Sequence, residues 1–212
     1  MVPLFHANSW GIAFSAPSQG TKLVMPGAKL DGASVYELLS TENVTHTAGV
    51  PTVWLMLLQH MAANNLKLPD LKMVICGGSA MPRSMIEAFL GMGSNVRHAW
   101  GMTEMSPIGS VAALKPPFQH ATGEARLDVL QMQGYAPFAV EMKITDDAGK
   151  ELPWDGKTFG RLKVSGPAVA KAYYRVDSNI LDEDGFFDTG DVSTIDEGGY
   201  MRITDRSKDV IK

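Results

Sequence analysis

Strand-like and helix-like patterns alternate from Thr21 to about Trp100, and no other feature of the sequence constrains the fold as strongly. Apolar residues recur at i, i+3 and i+4 in the helical segments, two of which carry proline in the first turn. The predicted strands span 22–25, 44–48, 71–76 and 96–100, and the predicted helices span 32–40, 51–64 and 81–90. Because such units connect through right-handed crossovers, they predict a mostly parallel sheet with flanking helices.

The second part of the sequence follows a different pattern, in which short strands alternate with turns after about Gly123. Strands are predicted over 139–145, 159–165 and 200–204, with turns at 146–149 and 196–199. We therefore predict an α/β subdomain over 1–122, followed by a small antiparallel β-barrel or sandwich over 123–205. The Lys115-Pro116-Pro117 segment and the polar residues after it are expected to connect the two.

Composition and charge argue against several classes of protein. The net charge is −4 without a dense run of Lys or Arg, so no nucleic-acid partner and no anionic membrane surface is expected. The apolar stretches are too short for a membrane span. One cysteine, Cys76, excludes an internal disulfide and makes the reducing cytoplasm the expected location. Residues 1–5 have the pattern of a strand entering a loop, so Met1 is interpreted as an internal methionine of a longer protein.

The segment from His98 to Pro107 places an aromatic ring, a glycine, a hydroxyl and a carboxylate where a strand is predicted to end. Gly101 would let the backbone turn, so that Thr103 and Glu104 point into a shared cleft. A hydroxyl can donate to a phosphate oxygen, while a carboxylate can hold a hard cation such as magnesium. The alternative is an ordinary corner between a strand and a helix, capped by the same two side chains.

A second candidate motif is Phe187-Asp188-Thr189-Gly190-Asp191-Val192, in which the glycine is expected to allow a turn. Asp191 could accept two hydrogen bonds from the vicinal hydroxyls of a ribose. Arg206 follows fifteen positions later, and its guanidinium could reach the same ribose or a phosphate. Each residue alone has an ordinary explanation. Asp191 could be a turn residue after a glycine, and Arg206 could form a surface ion pair with the aspartate beside it.

These motifs and their order along the chain resemble the acyl-adenylate-forming superfamily, which includes acyl-CoA synthetases, peptide-synthetase adenylation domains and beetle luciferases. The segments 2–11, with the sequence VPLFHANSWG, and 205–209, with the sequence DRSKD, are most similar to fatty-acyl-CoA ligases, a subgroup that includes methylmercaptopropionate-CoA ligases. The resemblance covers essentially the whole chain. It implies half of the large domain of such an enzyme.

The resemblance also implies which residues hold the nucleotide. The ring of Trp100 would stack on adenine, Thr103 would contact the α-phosphate, Glu104 would hold magnesium, and Asp191 would bind the ribose. Thr103 and Glu104 are therefore the candidate catalytic residues. The implied nucleotide-binding positions are Gly78, Ser79, Ala80, Ala99, Trp100, Gly101, Met102, Thr103, Asp191 and Arg206. Lys208 matches the family's hinge, so that 206–212 would begin the connection to a following small domain.

An acyl pocket is implied in the same way. Its candidate residues are His6, Ala7, Trp10, Val50, Pro51, Gly77 and Pro107. Trp10 could equally be an ordinary core aromatic, and His6 an ordinary loop histidine. The thirteen methionines could line the pocket, although core filling is the simpler explanation.

By resemblance, the complete enzyme uses ATP, magnesium and CoA to convert a carboxylic acid into its acyl-CoA, with release of AMP and pyrophosphate, and a homodimer is common in the group. The family's phosphate loop would precede Met1 and the domain with the catalytic lysine would follow Lys212, so poor activity is expected of the chain alone. Two alternatives stay open: a nucleotide- or acyl-adenylate-binding module without turnover, and an amino-acid adenylation domain. His6 argues against the second, since an aspartate that pairs with the substrate ammonium would be expected there.

Overall fold

The computed structural model describes residues 1–206, which form two compact units. The first unit contains Met1–Ala99 and Leu114–Gln131, and the second contains Trp100–Ala113 and the chain from Met132 onward. The chain therefore passes between the units three times. The boundary expected after residue 122 falls inside a segment that belongs to the first unit.

The first unit is built on three parallel strands in the order β1, β2, β3. Its strands are β1 (His46–Gly49), β2 (Met73–Cys76) and β3 (Asn95–Gly101), whose last two residues belong to the second unit. Its helices are α1 (Ala7–Trp10), α2 (Ile12–Ser18), α3 (Gly32–Thr41), α4 (Pro51–Ala63), α5 (Arg83–Gly91) and α6 (Gly123–Gln131). Apart from α1, a single left-handed turn, the elements over 32–101 follow the predicted alternation. No helix within residues 1–206 has the length and apolar character needed to cross a membrane.

Aromatic and aliphatic side chains fill the core between the helices and the sheet. Trp54 of α4 and Phe89 of α5 are fully buried and meet edge to face, with ring centroids 6.1 Å apart. Met61 and Met81 belong to the same core, which confirms core filling for these methionines. A Cβ atom on Gly32 would lie 2.2 Å from the carbonyl oxygen of Met56, so glycine allows α3 to approach α4 closely.

Two predicted elements are wrong. The segment over 22–25 is extended but pairs with no strand that the structure describes, because a strand pattern alone does not supply a hydrogen-bonding neighbour. Residues Gly123–Gln131 form α6, although short strands were predicted from about Gly123. The helix buries Leu127 and Leu130 at i, i+3 spacing. Its carboxylates Glu124 and Asp128, one turn apart, both bind the guanidinium of Arg83 on α5.

The second unit contains a curled antiparallel half-barrel, where a small antiparallel barrel or sandwich was predicted, and its four strands pair in sequence order. They are β5 (Glu141–Thr145), β6 (Phe159–Ser165), β7 (Phe187–Ile195) and β8 (Met201–Arg206), and the short strand β4 (Ile108–Val111) precedes them. The predicted turns are confirmed: the Asp146 carboxylate accepts the N–H groups of Ala148 and Lys150, and the Asp196 carboxylate accepts that of Tyr200. Ile144, Leu162 and Met201 form the centre of the core.

Candidate functional site

In the first unit, the candidate residues gather where the parallel strands end. Gly77, directly after β2, donates its N–H to the carbonyl of Gly49 at the end of β1. A Cβ atom on Gly77 would lie 3.1 Å from the Ala99 carbonyl oxygen and 2.9 Å from the ring of Trp10. The predicted pocket residues Trp10 and Gly77 and the predicted nucleotide-binding residue Ala99 are therefore neighbours. The carboxyl ends of parallel strands are the usual ligand-binding edge of such a sheet.

Val50 and Gly78 extend this group. A Cβ atom on Gly78 would lie 3.3 Å from Cγ1 of Val50, and the φ angle of Gly78 is +82°, a left-handed conformation that favours glycine. Ser79 and Ala80 follow as exposed residues. Pro51, also predicted for the acyl pocket, opens α4 directly after Val50. One edge of the first unit thus brings together predicted adenine-wall and acyl-pocket positions.

The segment before α2 has an unusual backbone. Ala7, Asn8, Ser9 and Trp10 all have positive φ angles, between 44° and 55°, and form the left-handed turn α1. A left-handed conformation costs roughly 1–2 kcal/mol per non-glycine residue. Such strain persists where surrounding contacts fix the chain: the Ser9 hydroxyl donates to the Val2 carbonyl at 2.6 Å, and the Trp10 ring lies against Gly77. His6, directly before the turn, is exposed.

His98 is a buried residue for which the sequence suggested no role. Its Nδ1 lies 3.3 Å from the carbonyl oxygen of Gln131, and its Nε2 lies 3.3 Å from that of Ser79. The imidazole thus bridges the end of α6 and the glycine-containing loop after β2. A polar residue at an inward position of a buried strand is a signal that the sequence could have supplied.

The first unit also contains a cavity of about 770 Å³. Three segments supply most of its lining: 1–5, 21–28 and 42–48. None of the seven residues predicted for the acyl pocket lines it. The cavity therefore gives no support to that assignment.

In the second unit, one hydrogen bond joins two predicted nucleotide-binding residues that are 91 positions apart. The indole Nε1–H of Trp100 donates to Oδ2 of Asp191 at 2.9 Å. Asp191 is only 7 % exposed, and its backbone N–H donates a hydrogen bond to the Thr189 hydroxyl oxygen. The indole N–H donates to one carboxylate oxygen, so this bond fixes the orientation of the side chain.

The neighbouring carboxylate of the same motif is placed quite differently. Asp188 is about one third exposed and accepts two hydrogen bonds from the guanidinium of Arg161. A carboxylate already neutralised by a guanidinium is a poor acceptor for a neutral ribose. Asp191 and Asp188 therefore differ both in burial and in the partner that the structure shows for each.

Gly190 lies within β7 instead of making the predicted turn between elements. Its φ angle is +74°, and the pairing of β7 with both neighbouring strands is irregular close to it. A glycine in this conformation makes a bulge, which can redirect the next side chain. Arg206 is the cross-strand partner of Asp191 in the register of β7 and β8, as the motif order suggested. Its side chain and Lys208 lie outside the part of the chain that the structure describes.

The predicted phosphate and metal residues lie on a short 3-10 turn, Thr103–Met105, between β3 and β4. Thr103 is exposed and Glu104 is half-buried, while Met105 packs into the core of the second unit. Gly101 does not supply a left-handed turn as predicted. A Cβ atom there would lie 1.8 Å from the carbonyl oxygen of Pro107, so the position requires glycine because two backbone segments approach closely. The N–H of Met102 donates to that same carbonyl at 2.9 Å.

The surroundings of Glu104 fit a magnesium ion whose remaining ligands are substrate phosphates and water. Among the side chains that the structure describes, no cation pairs with its carboxylate, and one oxygen accepts a hydrogen bond from the hydroxyl of Tyr173 at 2.7 Å. No group of three or more potential metal ligands occurs among the described residues. Mg²⁺ is commonly held by one or two carboxylates together with substrate phosphates and water, and a single carboxylate suits that arrangement.

Comparison with known proteins identifies the family of the chain. The model of the AMP-binding enzyme family matches residues 1–174. The chain belongs to this family. A medium-chain-fatty-acid–CoA ligase from Ectopseudomonas oleovorans is 45 % identical, and a 3-methylmercaptopropionyl-CoA ligase from Ruegeria lacuscaerulensis is 43 % identical. Both alignments cover 100 % of this chain but only 39 % and 40 % of the relatives, so the chain spans about two fifths of their length.

Solved structures confirm the fold. The O-succinylbenzoate coenzyme A synthetase from Bacillus subtilis in complex with AMP superposes with a TM-score of 0.81 at 26 % identity, over 99 % of this chain and 41 % of that one. A long-chain-fatty-acid-CoA ligase from Archaeoglobus fulgidus superposes with a TM-score of 0.80 at 25 % identity, over 97 % and 42 %. The parallel sheet and the antiparallel half-barrel are therefore those of N-terminal domains of this family.

The contact between Trp10 and Gly77 can be tested with Gly77→Ala. The added methyl group would press on the indole ring and on the Ala99 carbonyl, and overpacking of this kind typically costs about 1–3 kcal/mol. We expect a lower thermal unfolding temperature together with a changed tryptophan emission. Gly91→Ala is the matched control, because no atom lies within 4 Å of its Cβ position. Equal stability of the two variants would contradict the packing described.

The bond between Trp100 and Asp191 can be tested with Trp100→Phe in the full-length protein. Phenylalanine keeps a flat ring but cannot donate to the carboxylate. A hydrogen bond to a charged group contributes about 1.5–3 kcal/mol, so the affinity for ATP should fall about ten- to a hundredfold, as measured by calorimetric titration. Asp188→Asn is the control and should leave the affinity unchanged. If Trp100→Phe binds ATP like the unsubstituted protein, the indole N–H has no part in positioning Asp191 for nucleotide binding.

Proposed function

We propose that the chain forms part of an ATP-dependent acyl-CoA ligase. The carboxylate would attack the α-phosphate of ATP, which gives an acyl-adenylate and releases pyrophosphate, and the thiolate of CoA would then displace AMP to give the acyl-CoA. The observation that carries this proposal is the buried Asp191 carboxylate oriented by the Trp100 indole, in a chain of the AMP-binding family. This pairing supplies an acceptor for ribose hydroxyls beside a flat ring that can stack on adenine.

The residues of the 3-10 turn suit the phosphate end of the nucleotide. Thr103 is exposed at its start and can donate its hydroxyl to an α-phosphate oxygen. Glu104 would hold the magnesium ion, which neutralises phosphate charge when it is bound. A fixed carboxylate and a fixed donor accelerate phosphoryl chemistry chiefly by positioning and by stabilising charge. Gly78, Ser79, Ala80 and Ala99 would supply the adenine-binding surface of the first unit.

The acyl pocket is proposed at Trp10, Gly77 and Val50, with His6, Ala7, Pro51 and Pro107 as further members. Strained backbone tends to be retained where it positions functional groups, and α1 combines four left-handed residues with the ring of Trp10. The names of the relatives suggest medium-chain fatty acids or methylmercaptopropionate as substrates. Both acids have an apolar or thioether chain, which the indole ring could contact.

The remaining features of the longer enzyme are also proposals. CoA would be the second substrate, and the working form would be a homodimer in the cytoplasm. Arg206 would bind the ribose, and Lys208 would lie at the hinge to the following domain. The chain alone would bind nucleotide weakly at most, since the phosphate loop and the domain with the catalytic lysine would belong to the rest of the protein. A binding module without turnover is the alternative that the following assay tests.

The decisive experiment compares pyrophosphate release from ATP by the full-length protein and by the isolated chain, with magnesium and a series of carboxylic acids. Short, medium and sulfur-containing acids cover the substrates that the relatives suggest. We expect activity of the full-length protein with at least one of them and none of the isolated chain. Absence of activity in both would favour the binding module, and activity of the isolated chain would show that the segments considered missing are dispensable.

The metal role of Glu104 can be tested with Glu104→Gln in the full-length protein. The amide keeps the size of the side chain but removes its charge, so the magnesium concentration that gives half-maximal pyrophosphate release should rise about tenfold or more. Glu87→Gln, an exposed change on α5, is the control. An unchanged magnesium requirement would show that Glu104 does not hold the metal.

A further inference from the structure

A short loop of the second unit, between β6 and β7, folds back on itself. Ala172 and Asn179 form an isolated antiparallel bridge, and Ile180 donates its N–H to the Lys171 carbonyl at 3.2 Å. The turn between the two arms begins at Tyr173, whose carbonyl accepts the Val176 N–H at 3.2 Å. Tyr173 is therefore placed at a defined position by backbone hydrogen bonds on both sides.

The same loop makes two hydrogen bonds to Glu104. The backbone N–H of Ala170 donates to the main-chain carbonyl of Glu104 at 2.7 Å. The hydroxyl of Tyr173 donates to Oε1 of Glu104 at 2.7 Å. The first bond fixes the backbone of Glu104 and the second fixes its carboxylate, so the loop determines both the position and the rotation of this side chain. The separation in sequence, 69 residues, explains why no local pattern revealed the contact.

The Tyr173 hydroxyl is suited to act as a permanent donor. A phenol hydroxyl carries one hydrogen, and here it donates that hydrogen bond to the Glu104 carboxylate at 2.7 Å without placing a charge beside it. The residue is about half exposed, and Val169 anchors the loop in the core of the second unit. A tyrosine in this setting does little for core packing, which points to a role through its hydroxyl.

We propose that Tyr173 is a positioning residue for divalent-cation binding: it holds Oε1 of Glu104 by a hydrogen bond and thereby leaves Oε2 as the oxygen that ligates the cation. This inference rests on the proposed function, since it deepens the role given to Glu104. A carboxylate that is oriented before the cation arrives loses less conformational freedom on binding. A hydrogen-bonded outer partner also fixes the geometry of a ligand, and loss of such a partner typically weakens metal binding about 10- to 100-fold.

The test uses Tyr173→Phe in the full-length protein, which removes only the hydroxyl. Tyr174→Phe is the matched control, because Tyr174 is the next residue, is 86 % exposed and has its ring beside the guanidinium of Arg175. The direct measurement is the affinity for Mn²⁺, used as the probe cation, followed by electron paramagnetic resonance with ATP present and no carboxylic acid added. The second measurement is the dependence of pyrophosphate release on magnesium concentration.

For Tyr173→Phe we expect Mn²⁺ affinity to fall about tenfold, within the range known for outer partners of metal ligands. The half-saturating magnesium concentration should rise to a similar extent, while the maximal rate at saturating magnesium stays within about twofold. Tyr174→Phe should match the unsubstituted protein in both measurements. A general structural defect would instead lower the maximal rate and the unfolding temperature without a selective effect on the cation.

The outcomes separate this inference from the proposal on which it rests. Unchanged Mn²⁺ affinity in Tyr173→Phe, together with weakened affinity in Glu104→Gln, would overturn the role of Tyr173 and leave Glu104 as the ligand. Unchanged affinity in both variants would overturn the metal site itself. Equal weakening in Tyr173→Phe and Tyr174→Phe would point to the loop as a whole and would also reject the specific role of the Tyr173 hydroxyl.

Discussion

The hydrogen bond from the Trp100 indole to the Asp191 carboxylate is the interaction on which the proposed nucleotide site depends most. A carboxylate that is 7 % exposed needs a polar partner, because burial of an unpaired charge is costly. The indole N–H supplies one such partner to Asp191, whereas a guanidinium binds the carboxylate of Asp188. The same bond ties the end of β3 to the bulge at Gly190 in β7. A change in either strand would therefore alter the orientation of the carboxylate.

Close approach of backbone segments is the second constraint in both units. Gly77 leaves room for the Trp10 ring and the Ala99 carbonyl, and Gly101 leaves room for the Pro107 carbonyl. Neither position is explained by conformational freedom, since neither φ angle is in the left-handed region. A side chain at either place would displace the residues proposed to contact the acyl group and the nucleotide. Glycine in these motifs is thus required by what lies next to it in space.

Much of the candidate site could be predicted because its motifs are short and occur at strand ends. The alternation over 32–101 predicted three helices and three parallel strands, and strands that run in parallel must bring Gly77 and Ala99 to one edge. The prediction of a strand over 22–25 was wrong, because strand formation depends on a neighbour that local periodicity cannot supply. The helix over 123–131 was missed because its partners lie on distant segments: Leu127 and Leu130 pack into the core of the first unit, and Arg83 binds Glu124 and Asp128.

The sequence by itself determined the family and the parallel and antiparallel halves of the fold, and it supplied the predicted positions of nucleotide-binding side chains. These depend on periodicity, turn residues and short motifs, which are local properties of the chain. Only the tertiary structure decided that Asp191 and not Asp188 is held by the Trp100 indole, that His98 bridges Ser79 and Gln131, and that Tyr173 binds Glu104. Each of these contacts joins residues between 19 and 91 positions apart, and their geometry is set by packing.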